Sequence, residues 1–225
     1  MAELTAGGAR AIPVRCDVTV DGDPERAVAA ARERFGALDV VVANAGFAVV
    51  GPVALLTLDD YRRQFETNVF GVLRTILAAL PDMRRRRGRV AIIGSVNGHL
   101  ATPGSSPYAM SKFAVRALAE ALGHELAKTG ASVTLVSPGF VASEIRRVDN
   151  DGVLRAETPD LVPKFLIMSA DRAARQIVRA IARRRREVVV TGHGKVAVFL
   201  HRHAPWLTSA AIRTLGVRSR GEPKR

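Results

Sequence analysis

Only one cysteine, Cys16, occurs in the 225 residues of this chain, so no disulfide can close within it, and a reducing, cytoplasmic setting is expected. Aromatic residues are scarce as well, at 8 Phe, 2 Tyr and 1 Trp. A surface that stacks nucleic acid bases needs more of them, interleaved with basic side chains, and nucleic acid binding is not expected. Acidic residues are outnumbered, 21 Asp and Glu against 34 Lys and Arg, which leaves a formal charge of +13. Met1 is followed by Ala2, Glu3, Leu4 and Thr5 rather than by a basic stretch and an apolar core, so no secretory leader is expected. The long uncharged run from Val40 to Leu58 is broken by Asn44, Gly46, Gly51 and Pro52. It reads as a buried strand and a glycine turn, not as a membrane span. No repeat or low-complexity linker stands out, and 48% hydrophobic with 24% charged residues is ordinary for a globular chain of one domain.

What is present alternates. Apolar runs at 11–16, 38–43, 89–94, 132–136 and 188–190 are separated by helical patterns, as in a parallel sheet covered on both faces. Pro24 to Phe35 keeps Ala27, Val28, Ala31 and Phe35 on one face and stops at Gly36. Thr57-x-x-Asp60 has the form of a capping box. It opens a helix with Phe65, Val69, Val72, Leu73, Ile76, Leu77 and Leu80 at helical spacing. Pro107 suits a first helical turn after Ser106, and Val115, Leu118, Leu122 and Leu126 carry that helix to Gly130. Asp171 to about Arg183 adds another, with Ala174, Ile177, Val178 and Ile181 inward. The fold expected is a doubly wound α/β domain over 1–190, followed by a basic amphipathic extension over 191–225 packed on the same domain.

Tyr108 and Lys112 stand four apart in Ser-Pro-Tyr-Ala-Met-Ser-Lys, so a helix would hold phenol and ammonium on one face. A tyrosine of ordinary pKa, near ~10, transfers protons poorly at neutral pH, and a fixed positive charge beside it favours the phenolate. The pair reads as a general acid/base. In order along the chain there follow Asp17-Val18-Thr19 after the first apolar run, Asn44-Ala45-Gly46 after the second, Asn68 within the long helix, Ser95 after Gly94, and Pro138-Gly139 after the run at 132–136. With these motifs in this order, the chain resembles the short-chain dehydrogenase/reductase family over about residues 1 to 190.

The resemblance implies a Rossmann-like, doubly wound parallel sheet of order 3-2-1-4-5-6-7 and an NAD(P)-dependent oxidoreductase that interconverts a carbonyl and an alcohol. It implies that Tyr108 exchanges a proton with the substrate oxygen, that Lys112 lowers the tyrosine pKa and binds the nicotinamide ribose, that Ser95 hydrogen-bonds the substrate oxygen, and that Asn68 holds a water relaying protons from Lys112. Asn44, Ala45 and Gly46 would lie along the cofactor, Asp17 and Val18 would meet the adenine, and Pro138, Gly139, Val141 and Ser143 would line the nicotinamide side. Ser143 stands where the family more often has threonine. NAD and NADP are not distinguished, because the residues that separate them are not found here. Phe140 to Met168 falls where the family places its lid, and Leu161, Val162, Phe165, Leu166, Ile167 and Met168 suggest the wall of a pocket for a small apolar substrate. The family also pairs the helices after Thr57 and Ser106 between subunits, so a homo-oligomer is expected. Small Ala114, Ala117 and Ala121, with Leu118, Phe70 and Leu77, offer such a face.

The family's opening strand, Thr-Gly-x-x-x-Gly-x-Gly turn, helix and second strand have no counterpart here. Residues Ala2 to Arg10 read as the tail of that family's second helix, running into a strand at Ile12 that lacks its neighbour. The chain is thus N-terminally truncated relative to the family: either the rest lies upstream of Met1 or the protein is a shortened relative. Two functions stay open, the oxidoreductase and a catalytically silent remnant acting as an interaction partner. Gly192-His193-Gly194-Lys195-Val196-Ala197 fits G-x-G-x-x-A, but too little chain follows it for another nucleotide-binding unit, and a structural turn is expected. Arg84 to Arg87 with Arg89, and Arg183 to Arg186, each fall between a helix and a strand, where solvated basic residues complement a helix C-terminus. From Lys195 onward, Val196, Phe199, Leu200, Trp206, Leu207, Ala210, Ala211 and Leu215 alternate with Arg202, Arg213, Arg218 and Arg220. Packing on the domain or a subunit is favoured over membrane contact, since Pro205 interrupts the helix. His201 and His203 have no further ligand at metal spacing.

Overall fold

A computed structural model of the chain describes residues 6–155, 157 and 162–214. Leu161, Leu215, Arg218, Arg220 and the first half of the stretch from Ala2 to Arg10 lie outside the described residues.

Local chemistry accounts for the helix limits. Helix α1 spans Asp23–Phe35, with Asp23 and Glu25 in its first turn and Arg32 and Arg34 in its last, and ends at Gly36, whose φ of 77° is a left-handed stop. After β1 (Val40–Ala43), α2 (Leu58–Phe65) opens on the expected capping box, Thr57 accepting from the Asp60 amide while Asp60 accepts from Thr57. The long helix expected here is not uniform. A π-helical turn over Glu66–Gly71 separates α2 from α3 (Val72–Arg86), and such turns carry no signature in apolar spacing. Strand β2 (Arg89–Ile93) leads to α4 (Ser106–Leu126), which continues as one 3₁₀ turn to Gly130. Then come β3 (Ser132–Ser137), α5 (Ala170–Ala182), β4 (Glu187–Val189), α6 (Gly192–His203) and α7 (Pro205–Thr214).

The strands pair in parallel in the order β1-β2-β3-β4. Alternate residues feed two cores. Val41, Ala43, Val90, Ile92, Val133 and Leu135 face α1, α3 and α4, meeting Ile76, Met83, Val115, Leu122 and Leu126. Val136 and Val190 face the other way, onto α5 at Ala173. Burying each large aliphatic side chain contributes roughly 1.5–3 kcal/mol. This is a Rossmann-like arrangement of helices about a parallel sheet, with the sheet starting at β1. The buried Asp82 ties α1 to α3, accepting from Arg32 at 2.5 Å and from Arg85 at 2.6 Å.

Three expectations need correction. The run 11–16 forms no strand. Among the described residues no strand lies beside it, and a strand without a partner leaves its backbone groups to water. As a result β1 is an edge of the sheet, with Val40 and Val42 exposed on the face that α5 does not reach. In α5 the inward stripe is Ala173, Ile177, Ala180 and Ile181, whereas Val178 is 64% exposed and Ala174 is also outside; the helix is rotated by about one residue from the expected register. Phe35 is partly exposed, beneath Arg10 and Arg34 at 5.8 and 5.9 Å from its ring centre.

Candidate active site

The C-terminal ends of the parallel strands, where open α/β sheets bind ligands, carry most of the expected site residues. Asn44, Ala45 and Gly46 follow β1, Ser95 follows β2, and Pro138 and Gly139 follow β3. The π turn aims Asn68 inward, fully buried, next to Gly46. Its Oδ1 accepts from the Phe47 amide at 3.1 Å, and its Nδ2 donates to the Phe47 carbonyl at 3.0 Å and to Ser111 Oγ at 3.2 Å. A Cβ on Gly46 would stand 2.9 Å from Asn68 Oδ1, so only glycine lets this loop lie against the helix.

Tyr108 and Lys112 share one face of α4. The Tyr108 phenol lies beside Ser95, near enough for the serine to lower its pKa, and Ser95 Oγ accepts from the Asn97 amide at 3.1 Å. Lys112 is buried, with Nζ 2.9 Å from the Ile93 carbonyl that accepts its proton and 5.6 Å from the centre of the Tyr108 ring. Ser95, Tyr108, Lys112, Asn68 and Gly46 therefore form one cluster. The electrostatics differ from the expectation that the lysine pulls the phenol down. Burial pushes the Tyr108 pKa up, against the lowering effect of the neighbouring Ser95. Burial alone brings Lys112 down to about 8. The ammonium is turned to the Ile93 carbonyl instead of the phenol oxygen, and loss of solvent dominates both groups.

Pro138 and Gly139 are held to this cluster, the Pro138 carbonyl accepting from the Val96 amide at 2.9 Å. Gly139 is clamped from the other side. A Cβ there would lie 2.3 Å from Thr191 Oγ1 and 2.5 Å from His193 Nε2. His193 Nε2 accepts from the Phe140 amide at 3.2 Å, its ring stacks on Phe140 with centres 5.3 Å apart, and burial lowers its pKa. The G-x-G-x-x-A segment forms no separate turn: it is the start of α6, which Thr191 caps by accepting from the Gly194 amide at 3.3 Å.

The outer residues lie further away. Asp17 is engaged locally, its carboxylate accepting from the Thr19 amide at 2.9 Å and the Thr19 hydroxyl at 2.7 Å. Val18 packs on Gly71 and, with Cys16, Asn44 and Ala45, lines an apolar groove of about 250 Å³ between α1 and β1. Val141 pairs with Met168 in an isolated bridge. Ser143 is exposed and its side chain caps nothing. Of the expected pocket wall, Phe165 is 86% exposed, on a 3₁₀ turn that points it outward. Leu161 lies outside the described residues, and Val162, Leu166, Ile167 and Met168 are half-buried.

Three contributors escaped the sequence reading. Ser111, fully buried, bridges Asn68 to the Tyr108 carbonyl, donating to the latter at 2.7 Å. Its place one turn after Tyr108 was the available signal. Gln64 shapes the Phe47 to Val49 loop, accepting from Val49 at 2.6 Å and donating to Phe47 at 3.0 Å, and Tyr61 joins α2 to the start of α4 through Ser106 Oγ at 2.7 Å. Nothing in their spacing announces either.

Comparisons with known proteins point one way. A family model of short chain dehydrogenases matches residues 1–153. The chain is 34% identical to oxidoreductase BOA17 of Botryotinia fuckeliana, over 61% of this chain and 51% of that protein. It is 33% identical to dehydrogenase/reductase SDR family member 7B of Bos taurus, over 99% of this chain and 70% of the relative. Among solved structures, the gluconate 5-dehydrogenase of Burkholderia cenocepacia, in complex with NADP and tartrate, superposes with a TM-score of 0.61 at 29% identity, over 65% of this chain and 58% of that one. The chain thus spans about half the length of the first of these relatives.

Proposed function

Because this chain belongs to the short chain dehydrogenase family, we propose that it is an NAD(P)-dependent oxidoreductase that interconverts a small apolar carbonyl compound and its alcohol. The observation that carries the reading is the Tyr108 phenol beside Ser95, with Lys112 buried one turn along the same helix face and its Nζ 5.6 Å from the Tyr108 ring centre. Ser95 holds the substrate oxygen beside the phenol, and Tyr108 gives that oxygen its proton or takes it away. Lys112 supplies the positive charge and binds the ribose hydroxyls, while Asn68, fixed by Phe47 and Ser111, holds a water that returns protons to Lys112.

The nicotinamide end of a cofactor fits these residues. Gly46 and Gly139 bring bare backbone to the cluster, and the groove at Val18, Asn44 and Ala45 leads away from it. Asn44, Ala45, Gly46, Pro138, Gly139, Val141 and Ser143 would hold the cofactor, with Asp17 and Val18 toward the adenine; bound there, it supplies or takes the hydride. Residues 1–190 act as the oxidoreductase domain and 191–225 as its extension, whose described part packs on the domain at Thr191 and the first turn of α6.

One observation favours a second reading, an interaction partner without turnover. Among the described residues no glycine-rich turn or strand precedes β1, so nothing there cradles a pyrophosphate. Titration with NADH and NADPH, followed by nucleotide fluorescence, separates the two: saturable binding supports the oxidoreductase, and its absence supports the silent partner. Where turnover is measured, Tyr108→Phe should lower kcat by at least ~10²-fold with nucleotide affinity little changed. Near-full activity of that variant would refute the assignment of Tyr108.

A further inference from the structure

The loop that leaves β3 reaches the cluster of Ser95, Tyr108 and Lys112 through Pro138 and Gly139, and its backbone is tied down at several points. The Ser137 carbonyl accepts from the Val190 amide at 3.2 Å and the Pro138 carbonyl from the Val96 amide at 2.9 Å. Further on, the Phe140 carbonyl accepts from the Met168 amide at 3.0 Å, and the Ala142 amide donates to the Met168 carbonyl at 2.8 Å. All of these partners are backbone groups. The Phe140 amide is the exception, for it donates to a side chain, His193 Nε2, at 3.2 Å.

A backbone amide can only donate, so Nε2 accepts, and the single ring proton of neutral His193 sits on Nδ1. Thr191 agrees with that tautomer. Its Oγ1 lies 3.2 Å from Nε2 and already accepts from the Gly194 amide, which leaves the hydroxyl proton free to point at Nε2. The ring is placed by its stack on Phe140, at 27° between planes, and by Gly139, whose missing side chain makes the room. A second proton on the ring reverses the role of Nε2. It becomes a donor that Thr191 Oγ1 can receive and the Phe140 amide cannot, so the amide loses its partner. The groups packed against the ring, Gly139, Phe140 and Thr191, carry no charge, and Lys195 on the same helix is exposed. Nothing there steadies an imidazolium. Burial holds the pKa below the ordinary 6.5, so the ring is neutral at pH 7 and changes role only in acid.

We propose that His193 is a positioning residue for the cofactor site: in its neutral, Nδ1-protonated form it holds the backbone of Gly139 and Phe140 beside the Ser95 cluster, and protonation releases that backbone. The inference rests on the reading of Gly139 as part of the nicotinamide side. His193 acts through the loop, not on the reacting atoms. Ser95 and Lys112 keep their own partners, the Asn97 amide and the Ile93 carbonyl, so loss of the His193 contact should raise the KM for nucleotide more than it lowers kcat. Two substitutions separate the acceptor from the ring. His193→Gln reaches about as far with an oxygen that accepts at any pH, whereas His193→Phe keeps a ring to stack on Phe140 and has no acceptor.

Hydrogen exchange at the Phe140 amide, followed by NMR and expressed as a protection factor from about pH 7.5 to 5, reads the contact itself. Protection in the parent should fall about fivefold on acidification, the scale of one hydrogen bond. It should stay high throughout in His193→Gln and low throughout in His193→Phe. Ring nitrogen spectra of the parent at pH 7 should show a histidine with its proton on Nδ1 that is missing from His193→Gln. The Kd for NADH or NADPH should follow the same three patterns. A proton on Nε2 at pH 7, Phe140 protection that ignores pH, or equal protection in His193→Phe and the parent would overturn the proposal. Nucleotide binding that is indifferent to both substitutions and to acid would remove the positioning role and spare the cofactor reading. Absence of nucleotide binding at every pH, with the exchange pattern intact, would instead sink the cofactor reading and reduce His193 to a brace of the loop.

Discussion

Replacing Lys112 with methionine should remove the proposed chemistry and leave a protein whose stability no longer rises in alkali. Lys112 is 4% exposed, and burial holds its pKa at about 8 against an ordinary 10.5. At ~1.4 kcal/mol per pKa unit, keeping that charge in the folded protein at pH 7 costs roughly 3 kcal/mol. Methionine follows the same stem without the charge. It also gives up the donation to the Ile93 carbonyl, which for a charged donor is worth ~1.5–3 kcal/mol. The two effects nearly offset, so at pH 7 the variant should be between about equal to and ~2 kcal/mol more stable than the parent. The pH profile is the sharper readout. Below about pH 8 the lysine is protonated in both the folded and the unfolded chain, and its contribution is flat. Between about 8 and 10.5 the folded protein has released a proton that the unfolded chain still holds, so stability rises with pH by up to ~1.4 kcal/mol per unit. Urea unfolding followed by circular dichroism, repeated across that window, should show the parent gaining roughly 3 kcal/mol on Lys112→Met. A difference that stays constant with pH would refute the claim that this ammonium is held out of water.

Gly139→Ala should destabilise by about 1–3 kcal/mol, because its Cβ would overlap Thr191 and His193; Gly192→Ala, whose Cβ meets nothing within 4 Å, is the matched control, and equal urea midpoints for the two would disprove the clamp. We also propose that the protein is a symmetric homo-oligomer through the π turn, α3 and α4, where Phe70, Leu77, Met110 and Phe113 are 42–54% exposed. Light scattering should then give a dimer or larger mass that Phe70→Glu with Phe113→Glu reduces to the monomer, and a parent that is already monomeric, with or without cofactor, removes the proposal.

Patterns local to the chain were legible, and those made by distant contacts were not. The Thr57 to Asp60 box, the glycine stop at Gly36, Pro107 in the first turn of α4 and the shared face of Tyr108 and Lys112 are each decided within a few residues. The same locality explains the misses. The π turn at Glu66–Gly71 keeps its apolar residues at helical spacing, so nothing betrays it before Asn68 is seen fully buried. The run at 11–16 has the composition of a strand, yet pairing is settled by whether another strand lies alongside. A small rotation of α5 exchanges Ala174 and Val178 for Ala173 and Ala180, because arginines flank both possible stripes. The sequence named the phenol and the ammonium, but the tertiary fold sets their pKa values, by burying them and turning Lys112 toward Ile93.

Among the described residues no strand pairs with the outer side of β1, and this bears on how copies of the 225-residue chain meet one another in solution. The strand's outer backbone amides and carbonyls, with Val40 and Val42 exposed beside them, are a template on which an extended segment of another chain can add. No lysine or proline stands in the strand, so net charge is the available guard against pairing of two such edges. A charge of +13 provides it in dilute buffer, where fields reach ~30 Å, but at molar salt they fade within ~3 Å. Salt, which disperses many basic proteins from their anionic contaminants, should drive this one toward self-association along its open edge.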